Sequence, residues 1–152
     1  MFNFQAFKEE AKHGKTSAKF VSIMKDRNLC DPELHPIGVK QAEANAPKVY
    51  CLNVRYVLVS PMQRAMQTCI HMFKGHPNLA KIRFVVEPMV HEIMHTTNDM
   101  HMDALELLQK YAPGQPSCHG INFDFSRITS LSSPNLWNIN THATKATRDA
   151  FA

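Results

Sequence analysis

One stretch, from Arg55 to Thr68, does most to limit how this chain can fold. Tyr56 to Val59 is a short apolar, β-branched run and reads as a buried strand. Ser60 and Pro61 interrupt it. A Ser hydroxyl can accept from a free backbone N–H and cap a helix. Pro suits the first helical position, where no N–H is needed. The reading is therefore a helix opened by Ser60 and Pro61, running to about Lys74 and stopped by Gly75. A strand, a tight turn and a helix in that order favour a parallel α/β sheet. In such sheets ligands bind beyond the carboxyl ends of the strands. Arg64 falls in the helix's first turn. Its guanidinium and the free N–H groups favour the same partner, an anion such as phosphate. The plainer alternative is a solvated surface arginine.

The wider sequence separates these readings. Ser60-Pro61-Met-Gln-Arg64-Ala65-Met-Gln67-Thr68 resembles the S-P-x-x-R-A-x-Q-T motif of the histidine phosphatase superfamily, the phosphoglycerate-mutase-like enzymes. Asp31-Pro32-Glu33-Leu34-His35-Pro36-Ile37-Gly38-Val39-Lys40-Gln41-Ala42 is similar to that family's D-x-x-L-T-x-x-G-x-x-Q-A, with His35 where Thr is usual. Pro88-Met-Val-His-Glu92 is similar to its P-x-L-x-E segment. The three motifs follow in the family's order. Asp124-Phe-Ser126 and Trp137 have weaker counterparts in some long members. The resemblance implies a three-layer α/β/α sandwich with a mainly parallel sheet, phosphoglycerate-mutase-like but incomplete. It also implies phosphate binding by Arg64 and proton transfer by Glu92. The substrate would be a phosphorylated small molecule or a phosphoprotein, with no metal or organic cofactor.

Composition agrees with a globular domain. The 152 residues are 44% hydrophobic and 20% charged, as in an ordinary single domain. The formal net charge of +4 suits a small anionic substrate and is too dispersed to argue for nucleic acid. No apolar run reaches membrane-spanning length. The opening ten residues lack a basic segment followed by an apolar one, so no signal peptide is expected. Cys30, Cys51, Cys69 and Cys118 are far apart. They read as reduced thiols in a cytoplasmic protein rather than a disulfide framework.

Along the chain, Phe4 to about Lys12 is amphipathic and reads as a short helix. Residues 1–30 form the divergent segment of a single domain. Phe20 to Met24 suits a short helix or a strand. Asn28 to His35 reads as extended. Pro36 opens a helix that runs to about Ala46, where Pro47 ends it. The first strand spans Asn53 to Ser60 and a second spans Ile82 to Val86. Asp103 to Tyr111 is a helix. Ile121 to Leu131 supports no single assignment. The polar tail, 132–152, is weakly structured.

The family's chemistry needs a histidine nucleophile in an R-H-G motif after the first strand, and a second histidine near the C-terminus. Lys12-His13-Gly14 stands at a plausible position for the first and makes His13 the candidate nucleophile. Lys replaces the Arg, however, and cannot fork to phosphate. No strand-like run precedes it. A second alignment places R-H-G before Met1, with Asn3 as the residue that often follows it and His13 in a loop. Cys118-His119-Gly120 mimics the second motif, but it follows a Pro/Gly loop and precedes Asp124, so it reads as a decoy. An active enzyme, a catalytically dead relative that binds a phosphorylated ligand or protein partner, and a truncated product all stay open.

One rival constellation exists. His91-Glu92-Ile-Met-His95 is H-E-x-x-H, and His101 follows six residues on. On a helix His91 and His95 could share one Zn²⁺, with Glu92 as general base. Pro88 leaves barely a turn of helix before His91, and Asn98 replaces the Gly that would turn the chain toward His101. With nine His in the chain, chance matches are frequent. Scattered polar histidines are the favoured reading here.

Overall fold

In this computed structural model the described residues are 8, 10, 12–14, 17–24, 26, 30–90, 92, 99–102 and 104–129. Their elements alternate as a parallel α/β unit requires. Helix α1 covers Ala18–Met24 and helix α2 covers Pro36–Tyr50. Strand β1 is Tyr56–Val59, helix α3 is Gln63–Phe73, and strand β2 is Arg83–Val86. Helix α4 is Ala104–Lys110, strand β3 is Phe123–Asp124, and helix α5 is Ser126–Thr129. Among the described residues the sheet has three strands in the order β1-β2-β3, and both pairings are parallel. The α/β class with a parallel sheet is thus as the sequence implies, and the sheet is a small, incomplete one. No helix among the described residues is long and apolar enough to cross a membrane.

Register decides which side chains make the core. Val57 lies beside Phe84 and Val59 beside Val86, and Phe84 lies beside Phe123. Side chains alternate across a strand, so these residues share one face. That face packs with Met66, Ile70 and Phe73 of α3 and with Leu107 and Tyr111. Phe84 meets Phe73 edge-on at 5.3 Å between ring centroids and Phe123 at 6.2 Å, the geometry aromatic quadrupoles favour. The other face holds Tyr56, Leu58, Arg83, Val85 and Asp124.

This corrects the reading of β1 as a buried strand. Val59 is buried, but Tyr56 is 61% exposed and Leu58 is 55% exposed. Among the described residues, strand β1 has one neighbour and lies at the edge of the sheet. Strand β2, between two neighbours, buries Phe84, Val85 and Val86.

Two boundaries also differ. Pro47 does not end α2 but lies inside it. It is exposed, and a proline there removes one hydrogen bond from the helix. The helix continues because its last turn is held from outside. Val49 is buried, and the Tyr50 hydroxyl donates to the Lys74 carbonyl. Within the segment Ile121 to Leu131, the described residues 121–129 include β3 and all of α5. The helix expected over Phe4 to Lys12 lies mostly outside the described residues, though Lys8, Glu10, Lys12 and His13 are helical. Trp137 and the tail 132–152 lie outside them entirely.

Candidate active site

The organising turn differs in detail from its expected form. Ser60 is not the N-cap of α3. The cap is Met62, which makes no side-chain capping bond. Ser60 instead accepts weakly from the Met62 N–H at 3.4 Å, and Pro61 lies before the helix. Asp31 supplies the cap from far away in sequence. One carboxylate oxygen accepts from the Gln63 N–H at 2.8 Å, and the other accepts from the Met102 N–H at 3.0 Å. In return, the Gln63 side-chain amide donates to the Asp31 carbonyl at 2.6 Å. A negative group at a helix start meets both free donors and the positive end of the dipole. So Asp31 already holds the first N–H of α3, and the helix start is not the open anion site its sequence suggests.

The same contacts explain why two of the sequence segments travel together. Gln67, one turn beyond Gln63, accepts from the Leu34 N–H at 2.6 Å. The segment from Asp31 to Leu34 therefore lies along α3, pinned at i and i+4. Gly38 allows Leu34 its place. A Cβ on Gly38 would stand 2.7 Å from a Leu34 methyl. His35, where Thr is usual, still caps α2. Its Nδ1 accepts from the Ile37 N–H at 3.2 Å.

Asp31 adopts the left-handed region, with φ of 40°, which Asp tolerates better than most residues. It is buried. Burial pushes its carboxyl above the ordinary value, opposed by the Met102 and Gln63 N–H groups and by the nearby Arg64 and Lys110 charges. Burial likewise pushes the Cys69 thiol in α3 up to about 12, which makes it a packing residue rather than a nucleophile. None of Cys30, Cys51, Cys69 and Cys118 forms a disulfide.

Arg64 and Glu92 come together. They line one cleft of about 270 Å³ with Ser60, Met62, Ala65 and Val90. The geometry follows from the parallel pairing. Ser60 directly follows β1, and the Glu87 N–H extends the ladder by donating to the Val59 carbonyl at 2.8 Å. A turn closed by the Val90 N–H and the Glu87 carbonyl at 3.0 Å then leads toward Glu92. The two residues thus emerge beyond the carboxyl ends of neighbouring strands, where α/β sheets bind ligands. The Arg64 guanidinium lies 3.6 Å from an Asp99 carboxylate oxygen, an ion pair that also orients it.

His13 is helical, exposed and not among the residues lining this cleft. His119 sits in a surface turn with φ of 49°, so Cys118-His119-Gly120 does not follow a strand. Of the H-E-x-x-H segment, His91 and His95 lie outside the described residues. His101 is buried and its Nδ1 bonds the Met102 carbonyl at 2.9 Å. No group of three or more metal-ligating side chains occurs among the described residues.

Sequence reasoning missed three acids here. Asp31 was matched as part of a motif but not as a helix cap. Asp99 was not seen as a partner for Arg64. Glu87 is buried at the end of β2, where it bonds the Met89 N–H at 3.1 Å and pairs with Arg127. The signal for Glu87 was present: an acid directly after a parallel strand lies at the ligand-binding end of the sheet.

A family model described as Histidine phosphatase superfamily (branch 1) matches residues 11–132. The chain belongs to the histidine phosphatase superfamily. No curated protein and no solved structure matches it at a significant level.

Proposed function

We propose that the Arg64–Glu92 cleft binds the phosphoryl group of a phosphomonoester, and that its chemistry is hydrolysis or phosphoryl transfer through a phosphohistidine. The carrying observation is one cleft that holds a cation, Arg64, and an acid, Glu92, both beyond the carboxyl ends of β1 and β2. Arg64 would fork to two phosphate oxygens and offset the charge that builds on them. A histidine nitrogen would attack phosphorus as the ester P–O bond breaks. Glu92, in its acid form, would give its proton to the departing oxygen. Water would then attack the phosphohistidine and pass a proton to the Glu92 carboxylate, which frees phosphate and restores both groups. His13 is the candidate nucleophile.

A second reading rests on the position of His13 outside the cleft lining. In that reading the chain is a catalytically inactive relative that binds a phosphorylated small molecule or protein partner.

Hydrolysis of an aryl phosphate in the presence of a chelator separates the two. Turnover that survives chelation and is lost in both Arg64→Ala and His13→Ala supports the enzyme. Phosphate binding without turnover, lost in Arg64→Ala, supports the binder. Binding and turnover that ignore Arg64→Ala would overturn both. Loss of turnover to chelator would instead revive the zinc arrangement around Glu92.

A further inference from the structure

The opposite end of the same strands carries a second cluster of cations. Asn53, Arg55, Tyr56, Asn78, Lys81 and Arg83 line most of an open cleft of about 390 Å³. It lies at the amino ends of β1 and β2. Arg55 and Ser60 bracket β1, about 17 Å apart at the usual rise per residue of a strand. This site is therefore separate from the Arg64–Glu92 cleft.

Its main chain is fixed. The Arg83 N–H donates to the Arg55 carbonyl at 2.9 Å, which locks the two arginines in neighbouring positions. Lys81 closes a single 3₁₀ turn, Leu79–Lys81, just before β2. The Lys81 N–H donates to the Asn78 carbonyl at 2.9 Å, so that turn also places Asn78. The Arg83 guanidinium sits 5.6 Å from the centre of the Tyr56 ring and 3.3 Å from an Asp124 oxygen. Neither Arg55 nor Lys81 has an acidic partner among the described residues. Three cations thus converge on the cleft against one carboxylate.

We propose that this amino-end cleft is a second anion site, and that its ligand is a small phosphomonoester. The charge matches. Three cations less one carboxylate leave about two positive charges, and a phosphate monoester carries about two negative ones at neutral pH. The volume exceeds what a bare phosphate needs and falls within the range of small-molecule sites. Arg55 and Lys81 hold the phosphate, since neither is drawn to a carboxylate of the described residues. Asn53 and Asn78 supply amide donors and acceptors for the rest of the ligand, and Tyr56 supplies an exposed aromatic face. This site does not depend on the reading of Arg64.

Titration with inorganic phosphate and with glucose 6-phosphate, followed by NMR, tests it. The wild-type protein is expected to show two independent sites. One of them shifts the side-chain amides of Asn53 and Asn78, and glucose 6-phosphate binds there more tightly than phosphate. The double variant Arg55→Ala/Lys81→Ala is expected to weaken that site by about tenfold or more and leave the other unchanged. Arg64→Ala is expected to do the reverse. Unshifted Asn53 and Asn78 amides in the wild-type protein, a reading that needs no variant, would overturn the proposal. So would a double variant that titrates like the wild type. An Arg64→Ala protein that titrates like the wild type, beside a weakened double variant, would uphold this site and remove the Arg64 one.

Discussion

The two ends of β1 and β2 present cations in opposite ways. At the carboxyl end the cation is held. Arg64 sits 3.6 Å from Asp99, Glu92 lines the same cleft, and Asp31 caps the helix that carries Arg64. At the amino end Arg55, Lys81 and Arg83 face only Asp124 among the described residues. Fixed partners hold a cation in one geometry, which chemistry at a reacting atom needs. Excess charge on an open surface attracts an anion without orienting it closely. The carboxyl end thus holds its cation in a fixed geometry, and the amino end presents an excess of charge.

The largest effect that would break this contrast comes from Asp31. Asp31→Ala leaves the Gln63 and Met102 N–H groups without their acceptor. Each unsatisfied buried group costs about 1–3 kcal/mol, so the variant should lose about 2–6 kcal/mol in urea unfolding. Phosphate binding at the carboxyl end should fall with it, because α3 loses the anchor that sets Arg64. Binding at the amino end of the folded fraction should not change. A variant as stable as the wild type would show that the helix start finds water instead.

The pH dependence of stability sharpens the same point. Burial raises the folded-state Asp31 carboxyl above its ordinary value of 3.8. Between 3.8 and the folded value, the folded chain keeps a proton that the unfolded chain has released. Stability from this group is thus fully present below 3.8 and falls as pH rises through the folded value. Unfolding free energies compared with Asp31→Asn across acidic pH should show that decline. A difference that grows with pH would mean the donors and Arg64 outweigh burial, so that the ionised carboxylate is the favoured form.

Part of this was legible in the sequence and part was not. The strands around Val57 and Val85 and the helix after Met62 follow from local signals, and the cleft that Arg64 and Glu92 share from the order of the three resembling motifs. Short β-branched runs, a helix-opening turn and three ordered motifs are properties of neighbouring residues. Three features escaped because they depend on residues distant in the chain. Asp31 reaches the start of α3 across thirty-two positions, which no local capping rule detects. Tyr56 and Leu58 are exposed because, among the described residues, β1 lies at the edge, and edge position is a property of the sheet. Pro47 fails to stop α2 because Tyr50 is bonded to Lys74, a contact between two helices. The basic amino-end cleft has the same origin. Arg55 and Lys81 look like ordinary surface cations until the parallel register brings β1 beside β2.

The smallest expected effect concerns His35, which stands outside both ends and so serves as their reference. Its Nδ1 accepts from the Ile37 N–H, the task a Thr hydroxyl performs at a helix start. His35→Thr keeps an acceptor at that position, so stability should change by no more than about 0.5 kcal/mol, within the spread among good capping residues. His35→Ala removes the acceptor and should cost about 0.5–2 kcal/mol. Neither change should alter phosphate titration at either end of the strands, because the His35 cap is an exposed contact and His35 lines neither cleft. If His35→Thr instead weakened phosphate binding at the carboxyl end, the imidazole would have a role there beyond capping. The segment from Asp31 to His35 would then belong to the carboxyl-end site itself, rather than to the scaffold that sets it.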